Sequence, residues 1–443
     1  MFAYSFWSLA MDKSPDSMMA DLACLPCVPY ITAEALNEAC FCVAVEPEVL
    51  RAELGRLVEP RGVSRPLALS HEHLFASHPI YVPHPAIGQI ESVLTAIEEV
   101  TALSAYRSAA MGWAPDLAKM DPGSPGGLLG FDFHLSADGA RLIEINTNPG
   151  GVLLNAMLAR AQRICVPKHM SSATDMSSIE LEVMKVIEVE WQRQRGTLPL
   201  KSIAIVDDSP TEQYLYPEFL LFQELFQKHG YHAQICAPDA LDYRDGQVWL
   251  QGVPVDMVYN RLTDFALEEP GNSKLHAAYV ASEVVLSPHP RAHALYADKR
   301  NLILLCDSKF LTQAGADSRS VAVLSKAIPS TQLVTLANRE FLWTNRRQFF
   351  FKPAAGYGSK AAYRGDKLTR GVWAAIAEGK FIAQELVRPS ERQLSPDSQP
   401  LKVDIRCYAY QGRPLLYTAR MYQGRTTNFR TPFGGFAPVL TVA

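Results

Sequence analysis

The 443-residue sequence predicts a mixed α/β protein with a small doubly wound domain in its middle. A buried strand at 201–208 (KSIAIVDD), an amphipathic helix at 212–229 and a second strand at 231–238 (YHAQICAP) form a βαβ unit. Earlier in the chain, the run 131–146 contains two short strands with alternating apolar residues. Helices and strands alternate again from residue 298 onward. Together these observations indicate sheets that are covered by helices.

The other elements can be read in chain order. Residues 1 to about 125 are mostly helical in pattern, with apolar residues at helical intervals from Ile90 to Arg107. The run Pro122-Gly-Ser-Pro-Gly-Gly127 interrupts this pattern, and a further helical stretch runs from Ile179 to Arg195. Inside the middle domain, Asp245-Gly246 predicts the turn of a β-hairpin.

Composition and charge exclude several classes of protein. With 48% hydrophobic and 20% charged residues, the chain is too apolar for a disordered protein and too weakly charged for a coiled coil. The net charge of −4 argues against a broad nucleic-acid surface, although a local basic patch stays open. We find no apolar run of about 18 residues that could span a bilayer, and no signal-peptide pattern at the N-terminus. We therefore expect a cytoplasmic protein that binds neither membrane nor nucleic acid.

The eight cysteines resemble reduced core thiols, because most stand alone among apolar neighbours. The exception is a cluster formed by Cys24, Cys27, Cys40 and Cys42. Zinc could use such a quartet, but the second pair is one residue closer than the usual spacing. A zinc site is therefore the less favoured alternative.

The most informative segment is the acidic hairpin at 130–151. Alternation places Glu144 and Asn146 on one face of their strand. With a two-residue Asp138-Gly139 turn, Asp132 would point to the opposite face. With a three-residue loop that ends in Gly139, Ser136 would pair with Ala140 and Asp132 would stand opposite Glu144. Glycine at the last loop position favours the second register.

Two facing carboxylates destabilise a sheet unless a cation lies between them. Asp132, Glu144 and Asn146 would offer oxygen ligands to a hard divalent ion, and Mg²⁺ prefers such ligands and retains substrate phosphates. The alternative is a hairpin whose acids are only solvated. The following Asn148-Pro-Gly-Gly loop favours the magnesium site, because its backbone amides could approach a charged ligand.

A glycine-bearing loop follows the apolar strand that begins at Phe349. This strand delivers Lys352 and opens into Gly356, Gly358 and Ser359. Exposed amides beside an ammonium group suit the phosphates of a nucleotide. The two glycines could equally form an ordinary turn, so the loop is weak evidence unless its neighbours also fit.

In these segments the sequence resembles the ATP-grasp ligases. The pattern from Asp132 to Glu144-Ile-Asn-Thr-Asn-Pro-Gly-Gly looks like the magnesium motif of D-alanine:D-alanine ligases, and the acid spacing matches the synthetase domain of glutathionylspermidine synthetase. The resemblance implies ATP and Mg²⁺ as cofactors. It also implies further nucleotide ligands, namely Lys299, and the hinge residues Gln384, Glu385, Val387 and Glu391. The run LKVDIRCYAY resembles the family's D-x-R strand, in which Arg406 faces the transferred phosphoryl group and Asp404 is either functional or an internal partner of the arginine.

The order of these motifs resembles that of eukaryotic-type glutathione synthetases, in which the ATP-grasp domain is circularly permuted. The implied fold is a permuted ATP-grasp domain with an inserted doubly wound substrate domain. Its parts would be 1–197, which includes the metal-binding hairpin, the insert 198–297, and 298–443. The resemblance also implies the substrate ligands Arg261, Asp207 and Gln213 and a substrate-orienting arginine, Arg425. Asn148 and Arg430 are further candidate substrate ligands, and Arg430 could equally be a surface charge.

Two departures from the family concern the substrate. The glutamate that completes the family's metal site falls at Gly356, and the serine-bearing substrate loop is replaced at Asn148. Asp132 can supply the missing metal ligand, as in glutathionylspermidine synthetase, but glutathione itself is not implied.

The resemblance implies a ligase that joins a small-molecule carboxylate to an amine through an acyl phosphate. Related enzymes are often homodimers. The alternatives are a kinase that stops after phosphoryl transfer and a nucleotide-binding module without catalysis. Retention of every charged group that the ligation needs favours the ligase.

Overall fold

The computed structural model describes residues 32–41, 49–50, 52, 55–56, 71–161, 170–172, 178–355, 361–424 and 426–442. It is a mixed α/β structure built on one large sheet, two four-stranded sheets and a three-stranded sheet. Among these residues, no helix is both long enough and apolar enough to cross a bilayer.

The large sheet has eight strands and is mostly antiparallel. Its main path runs Ile80–Pro83, Gly435–Val442, Arg413–Tyr422, Leu401–Tyr410, Leu129–Ser136 and Gly139–Asn146. The short strands Ser390–Arg392 and Met170–Ser172 pair with Leu401–Tyr410 and Gly435–Val442. The acidic hairpin therefore lies directly beside the last third of the chain.

The central strand Leu401–Tyr410 shows how the sequence builds this sheet. Because side chains alternate, Val403, Ile405 and Cys407 enter the core on one face, while Asp404 and Arg406 line a cavity on the other. The helix His84–Ala102 covers the core face with its apolar stripe, and Ser318–Ala327 packs against that helix.

The helical pattern from Ile90 to Arg107 is not one helix. The first helix ends at Ala102, Leu103 has an extended backbone, and a second helix spans Ser104–Met111. The amide of Leu103 donates to the carbonyl of Val100, which closes the last turn of the first helix. The periodicity continues through the break because Tyr106 and Ala110 join the same core.

The predicted βαβ unit is confirmed. Four parallel strands lie in the order Val285–Ser287, Met257–Asn260, Ser202–Val206 and His232–Cys236. The helix Tyr216–Lys228 begins later than predicted because a 3₁₀ turn, Pro210–Glu212, precedes it. The helix Ile179–Arg195 contacts the strand Val285–Ser287 of this sheet.

The three-stranded sheet contains the predicted hairpin. Its turn has Asp245 and Gly246 at positive φ, between the strands Leu241–Arg244 and Gln247–Leu250. Val253–Val255 is its third strand, and the helix Ser273–Val280 contacts the hairpin.

The remaining sheet is small and antiparallel. Its strands lie in the order Thr331–Leu333, Phe381–Glu385, Phe349–Pro353 and Tyr363–Arg364. The helices Arg339–Thr344 and Arg370–Glu378 cover it with an aromatic core that includes Trp343, Phe351 and Trp373. Along the chain, three short helices separate the strands of the parallel sheet from those of this sheet: Pro290–Ala292, Asn301–Cys306 and Ser308–Gln313.

The cysteine cluster at 24–42 lies mostly outside the described residues, since of its four cysteines only Cys40 falls within them. Cys40 follows the helix Ala33–Ala39, and its Sγ lies 3.2 Å from the hydroxyl of Tyr81. In the described part of the chain, no group of three acidic, histidine or cysteine residues could hold a metal ion.

Candidate functional site

A cavity of about 930 Å³ is lined by the large sheet and the small antiparallel sheet. Among the described residues, its lining carries seven basic and five acidic side chains. They are Lys299, Lys352, Arg364, Arg388, Lys402, Arg406 and Arg420, and Asp132, Glu144, Glu385, Glu391 and Asp404. The excess of positive charge favours an anionic ligand.

The hairpin at the floor of this cavity brings Asp132 opposite Glu144, but not through the predicted loop. Its turn has two residues, because Ser136 pairs with Gly139 and not with Ala140. A bulge at Ile143 then adds one residue to the second strand and moves Glu144 into register with Asp132. The bulge also presents the carbonyl of Ile143 to the Nζ of Lys352, at 3.2 Å.

Asp132 is buried and is held by two arginines. Arg406 donates from Nε and Nη2 to its two carboxylate oxygens, at 2.6 and 2.7 Å. The Nη2 of Arg420 lies 3.0 Å from Oδ2, and the amide of Asn146 donates to the same oxygen at 3.1 Å. The two guanidinium groups supply the positive charge that a buried carboxylate needs.

Glu144 lines the cavity together with Lys299 and Lys352. Burial alone would raise the pKa of Glu144, but Lys352, Lys299, Arg420 and Arg406 lower it to about 2, so the carboxylate is charged at neutral pH. The Nζ of Lys352 lies 3.9 Å from Oε2 of Glu144 and donates to Oε1 of Gln384 at 3.0 Å. Burial lowers the pKa of Lys352, which Glu144 opposes.

The predicted hinge strand is two strands. Phe381–Glu385 belongs to the small sheet, and Ser390–Arg392 joins the large one. The chain crosses between them at 386–389, where Pro389 provides no amide hydrogen for a ladder. All four predicted hinge residues line the cavity, with Gln384 and Glu385 in the small sheet, Val387 in the crossing segment and Glu391 in the large sheet. The buried Nε2 of Gln384 has no hydrogen-bond partner among the described residues.

Lys299 also lines the cavity. It follows a five-residue π-helix, His293–Ala297, and its backbone amide donates to the carbonyl of Ala354 at 3.1 Å. This contact ties Lys299 to the strand that bears Lys352. Gly356, Gly358 and Ser359 lie outside the described residues, as does Arg425.

Arg420 and His134 are among the cavity residues that were not identified from the sequence. Arg420 stands opposite Asp404 on the adjacent strand. From the sequence, alternation shows only that Arg420 shares a strand face with Tyr422. His134 lies 3.0 Å from Oδ1 of Asp404 through Nε2 and 2.8 Å from the carbonyl of Val387 through Nδ1. Both neighbours are acceptors, so the ring can donate to both only as the cation.

Asp404 is not an internal partner of Arg406. Burial would raise its pKa, but His134, Arg420 and Thr427 lower it to about 2. The hydroxyls of Tyr422 and Thr427 donate to the Asp404 carboxylate. Asp404 therefore anchors the loop that follows Tyr422 onto the large sheet.

The predicted substrate residues form a second cluster. Asn148, Asp207, Gln213 and Arg261 do not line the cavity of about 930 Å³. Arg261 is buried between the rings of Phe219 and Tyr259. Its Nε and the Oδ1 of Asn148 are buried without a hydrogen-bond partner among the described residues. Gln213 donates to the carbonyl of Asp208 at 2.6 Å.

Arg430 stands apart from both groups. It is exposed, and its backbone amide donates to Oδ1 of Asn428 at 3.0 Å. It does not line the cavity. Its neighbour Phe429 does line the cavity and stacks on Tyr214, with ring centroids 5.4 Å apart. The loop of Arg430 thus connects the cavity to the parallel-sheet region.

Burial raises the pKa of Asp207 to about 7, although Arg261 opposes this. Between about pH 4 and 7 the folded protein then keeps a proton that the unfolded chain has lost, so the free energy of unfolding falls as the pH rises. We expect Asp207→Asn to remove this decline and to stabilise the protein at pH 8 by about 1–3 kcal/mol. Urea unfolding at several pH values measures the effect, and parallel curves for the two proteins would contradict it.

The chemistry of the hairpin residues fits magnesium. Asp132, Glu144 and Asn146 provide two carboxylates and an amide on neighbouring strand positions, and such oxygen donors suit Mg²⁺. Glu144 faces the cavity, whereas both oxygens of Asp132 are engaged by guanidinium groups. Asp132 could coordinate an ion only with some change in those contacts.

Comparison with known proteins identifies the fold. Neither a protein-family model nor a curated protein matches the chain. A glutathione synthetase-like effector from Globodera pallida aligns with a TM-score of 0.50 and 12% identity, covering 89% of this chain and 97% of that one. A protein described as a gamma-glutamylcysteine synthetase, from Methylobacillus flagellatus, aligns with a TM-score of 0.45 and 11% identity, over 79% and 84% of the two chains. The predicted resemblance is confirmed at the level of the fold, which this chain shares with a glutathione synthetase-like protein.

Proposed function

We propose that this protein is an ATP- and Mg²⁺-dependent ligase that joins a carboxylate to an amine and releases ADP and phosphate. One observation carries the proposal. Lys299, Lys352 and Arg406 converge with Asp132 and Glu144 on a single cavity that two sheets line. Cations around a charged acid pair suit a nucleotide phosphate chain better than a neutral ligand.

In this proposal the nucleotide lies along the cavity. Lys299 and Lys352 hold phosphate oxygens, assisted by the backbone of the loop with Gly356, Gly358 and Ser359. The base lies against the crossing segment, where Gln384, Glu385 and Val387 surround it and Glu391 reaches the ribose. The free amide hydrogens of Gln384 support this placement, because its Oε1 is already bound to Lys352 and its Nε2 can donate to a base nitrogen.

Magnesium would be held by Glu144 and Asn146, with Asp132 as a third ligand. A bound Mg²⁺ would neutralise negative charge on the phosphate chain. The charged state of Glu144 at neutral pH supports this role.

The ligation itself requires positioning and charge stabilisation more than a protein nucleophile. The substrate carboxylate attacks the γ-phosphorus, the bond to the β-phosphate oxygen breaks, and ADP leaves. The amine then attacks the acyl carbon, phosphate departs, and the nitrogen loses a proton. Arg406, with Arg420 beside it, stabilises charge on the phosphoryl group, and Arg261 orients a substrate carboxylate.

We also propose that the chain is a circularly permuted ATP-grasp protein. Its parts are 1–197, an inserted substrate domain at 198–297, and 298–443. Pairing of the strand Leu129–Ser136 with Leu401–Tyr410 supports this arrangement, because it places the acid pair beside the last third of the chain. The separate parallel sheet supports the insertion.

The proposal is tested by measuring ATP-dependent phosphate release with a pool of amino acids and short dipeptides. An amide product with stoichiometric ADP is expected. ADP with a stable phosphorylated substrate would indicate a kinase. Binding of Mg·ATP without turnover on any carboxylate would indicate a non-catalytic module.

Arg425→Ala is expected to raise the KM for the carboxylate substrate by about tenfold or more, with little change in ATP affinity. The guanidinium would orient the substrate carboxylate, together with Asn148, Asp207, Gln213 and Arg430 as further candidate ligands. Steady-state kinetics with each substrate varied separately measure the effect. Arg413→Ala, an exposed arginine paired with Glu182, is the control. An equal loss of affinity for both substrates would contradict this assignment.

A further inference from the structure

The carboxylate of Glu218, from the helix Tyr216–Lys228, binds the amino end of the helix Val152–Arg160. Both oxygens of Glu218 accept from the amide of Gly151 at 2.8 Å, and Oε1 also accepts from Leu153 at 3.2 Å. The helix has no capping side chain of its own, because Gly151 stands at its N-cap with φ of 107°. The amides that we expected to approach a charged ligand are thus bound by the protein itself.

Glu218 is fully buried, so its placement has an energetic cost that its neighbours must offset. Burial raises the pKa of Glu218, whereas Arg261, the amides of Gly151 and Leu153, and Arg406 oppose that rise. The amino end of a helix also favours a negative charge. Loss of the carboxylate would leave buried amides unpaired, which is unfavourable.

The contacts of Gly150 show what this arrangement positions. A Cβ at Gly150 would lie 3.4 Å from Oε2 of Glu218 and 3.5 Å from Nη2 of Arg261. The carbonyl of Gly150 accepts from the hydroxyl of Tyr408 at 2.6 Å and from Nη1 of Arg406 at 3.4 Å. The same peptide therefore contacts the parallel-sheet region through Glu218 and Arg261, and the large sheet through Arg406.

Neighbouring side chains pack closely against this peptide. A Cβ at Gly150 would lie 2.3 Å from Leu215, and a Cβ at Gly151 would lie 2.3 Å from Phe436. The Nη1 of Arg261 lies 3.5 Å from the carbonyl of Pro149. A change in the position of Glu218 would therefore move the loop and both arginines relative to one another.

We propose that Glu218 is a positioning residue, whose buried carboxylate holds the loop Asn148–Gly151 so that Arg261 and Arg406 face the same substrate from opposite sides of Gly150. This inference rests on the proposed function for the roles of the two arginines. Glu218 itself does not touch the substrate. It links the 198–297 region to the phosphoryl-transfer end of the cavity.

The first test is hydrogen exchange of the full-length protein with Glu218→Gln. A glutamine cannot accept from amides with both terminal atoms, so we expect exchange in the segment 148–158 to become about tenfold faster or more. Binding of Mg·ADP, measured by calorimetry, should stay within about twofold. Glu224→Gln is the matched control, since Glu224 lies on the same helix and forms surface ion pairs with Lys228 and Arg56. Unchanged exchange in 148–158 would overturn the proposal.

The second test uses the amino-acid and dipeptide pool. Glu218→Gln should raise the pool concentration that gives half-maximal ADP formation by about tenfold, with the KM for ATP unchanged. An equal rise for ATP would show general damage to the fold and overturn the positioning role. If the wild-type protein forms no ADP with the pool, the proposed function fails on its own, and hydrogen exchange with Mg·ADP binding still decides whether Glu218 positions the loop.

Discussion

Glu144→Gln is expected to lower ADP formation by about 10³-fold or more while the protein stays folded. The carboxylate is charged at neutral pH, because Lys352 and Lys299 lower its pKa, and its Oε2 lies 3.9 Å from the Nζ of Lys352. Glutamine keeps the shape of the side chain but removes the charge that would bind a divalent ion. Lys352 still has the carbonyl of Ile143 and Oε1 of Gln384 as acceptors, so we expect a change in unfolding free energy of only about 1 kcal/mol.

Two measurements separate chemistry from stability in this variant. ADP release is followed across a range of Mg²⁺ concentrations, and thermal unfolding is followed by circular dichroism. Glu180→Gln is the control, because Glu180 forms a surface ion pair with Arg160, 2.6 Å away. Turnover similar to that of the wild-type protein would remove Glu144 from the proposed metal site.

The hairpin shows how far local sequence patterns predict this site. The predicted pairing of Asp132 with Glu144 is present, but the three-residue loop from which it was inferred is not. The loop was wrong, because the register depends on a bulge at Ile143 whose carbonyl is satisfied by Lys352, more than 200 residues away. The local sequence of the hairpin cannot predict a contact with a lysine from another sheet, so the bulge could not be predicted from it.

The same limit explains the cations that the motifs did not include. Arg420 becomes a partner of Asp132 and Asp404 only because two strands pair in one particular register. Sequence spacing within a strand identifies which residues share a face. It does not identify which side chain of a neighbouring strand lies beside them. The crossing of 386–389 between two sheets was missed for the same reason, because the sequence does not show which sheet each half joins.

The parallel-sheet region was more predictable because its signals are local. A buried run, an amphipathic helix and a second buried run are sufficient to predict a βαβ unit. The cluster around Arg261 was not predictable in detail, because Glu218 reaches it from a helix whose pattern indicates only an amphipathic face. A glutamate on such a helix is usually solvated, whereas this one is fully buried.

Arg406→Met is expected to reduce both stability and activity. Asp132 would lose the bidentate partner at 2.6 and 2.7 Å and keep Arg420 at 3.0 Å and Asn146 at 3.1 Å. Removing one member of a buried ion pair typically costs about 3–5 kcal/mol. Because Arg420 remains, we expect a loss of about 3 kcal/mol in the free energy of unfolding, measured in urea. ADP formation should fall by about 10³-fold.

A second substitution separates these two effects. In the double variant Arg406→Met with Asp132→Asn, the buried carboxylate that lost its partner is absent, so much of the stability should return. Activity should not return, because the charge that stabilises the phosphoryl group and one proposed magnesium ligand are both missing. Arg413→Met, an exposed arginine on the neighbouring strand, is the control for loss of a guanidinium. If the double variant regained ADP formation together with stability, Arg406 would serve only to neutralise Asp132, and the phosphoryl-stabilising role would pass to Arg420 or to a lysine.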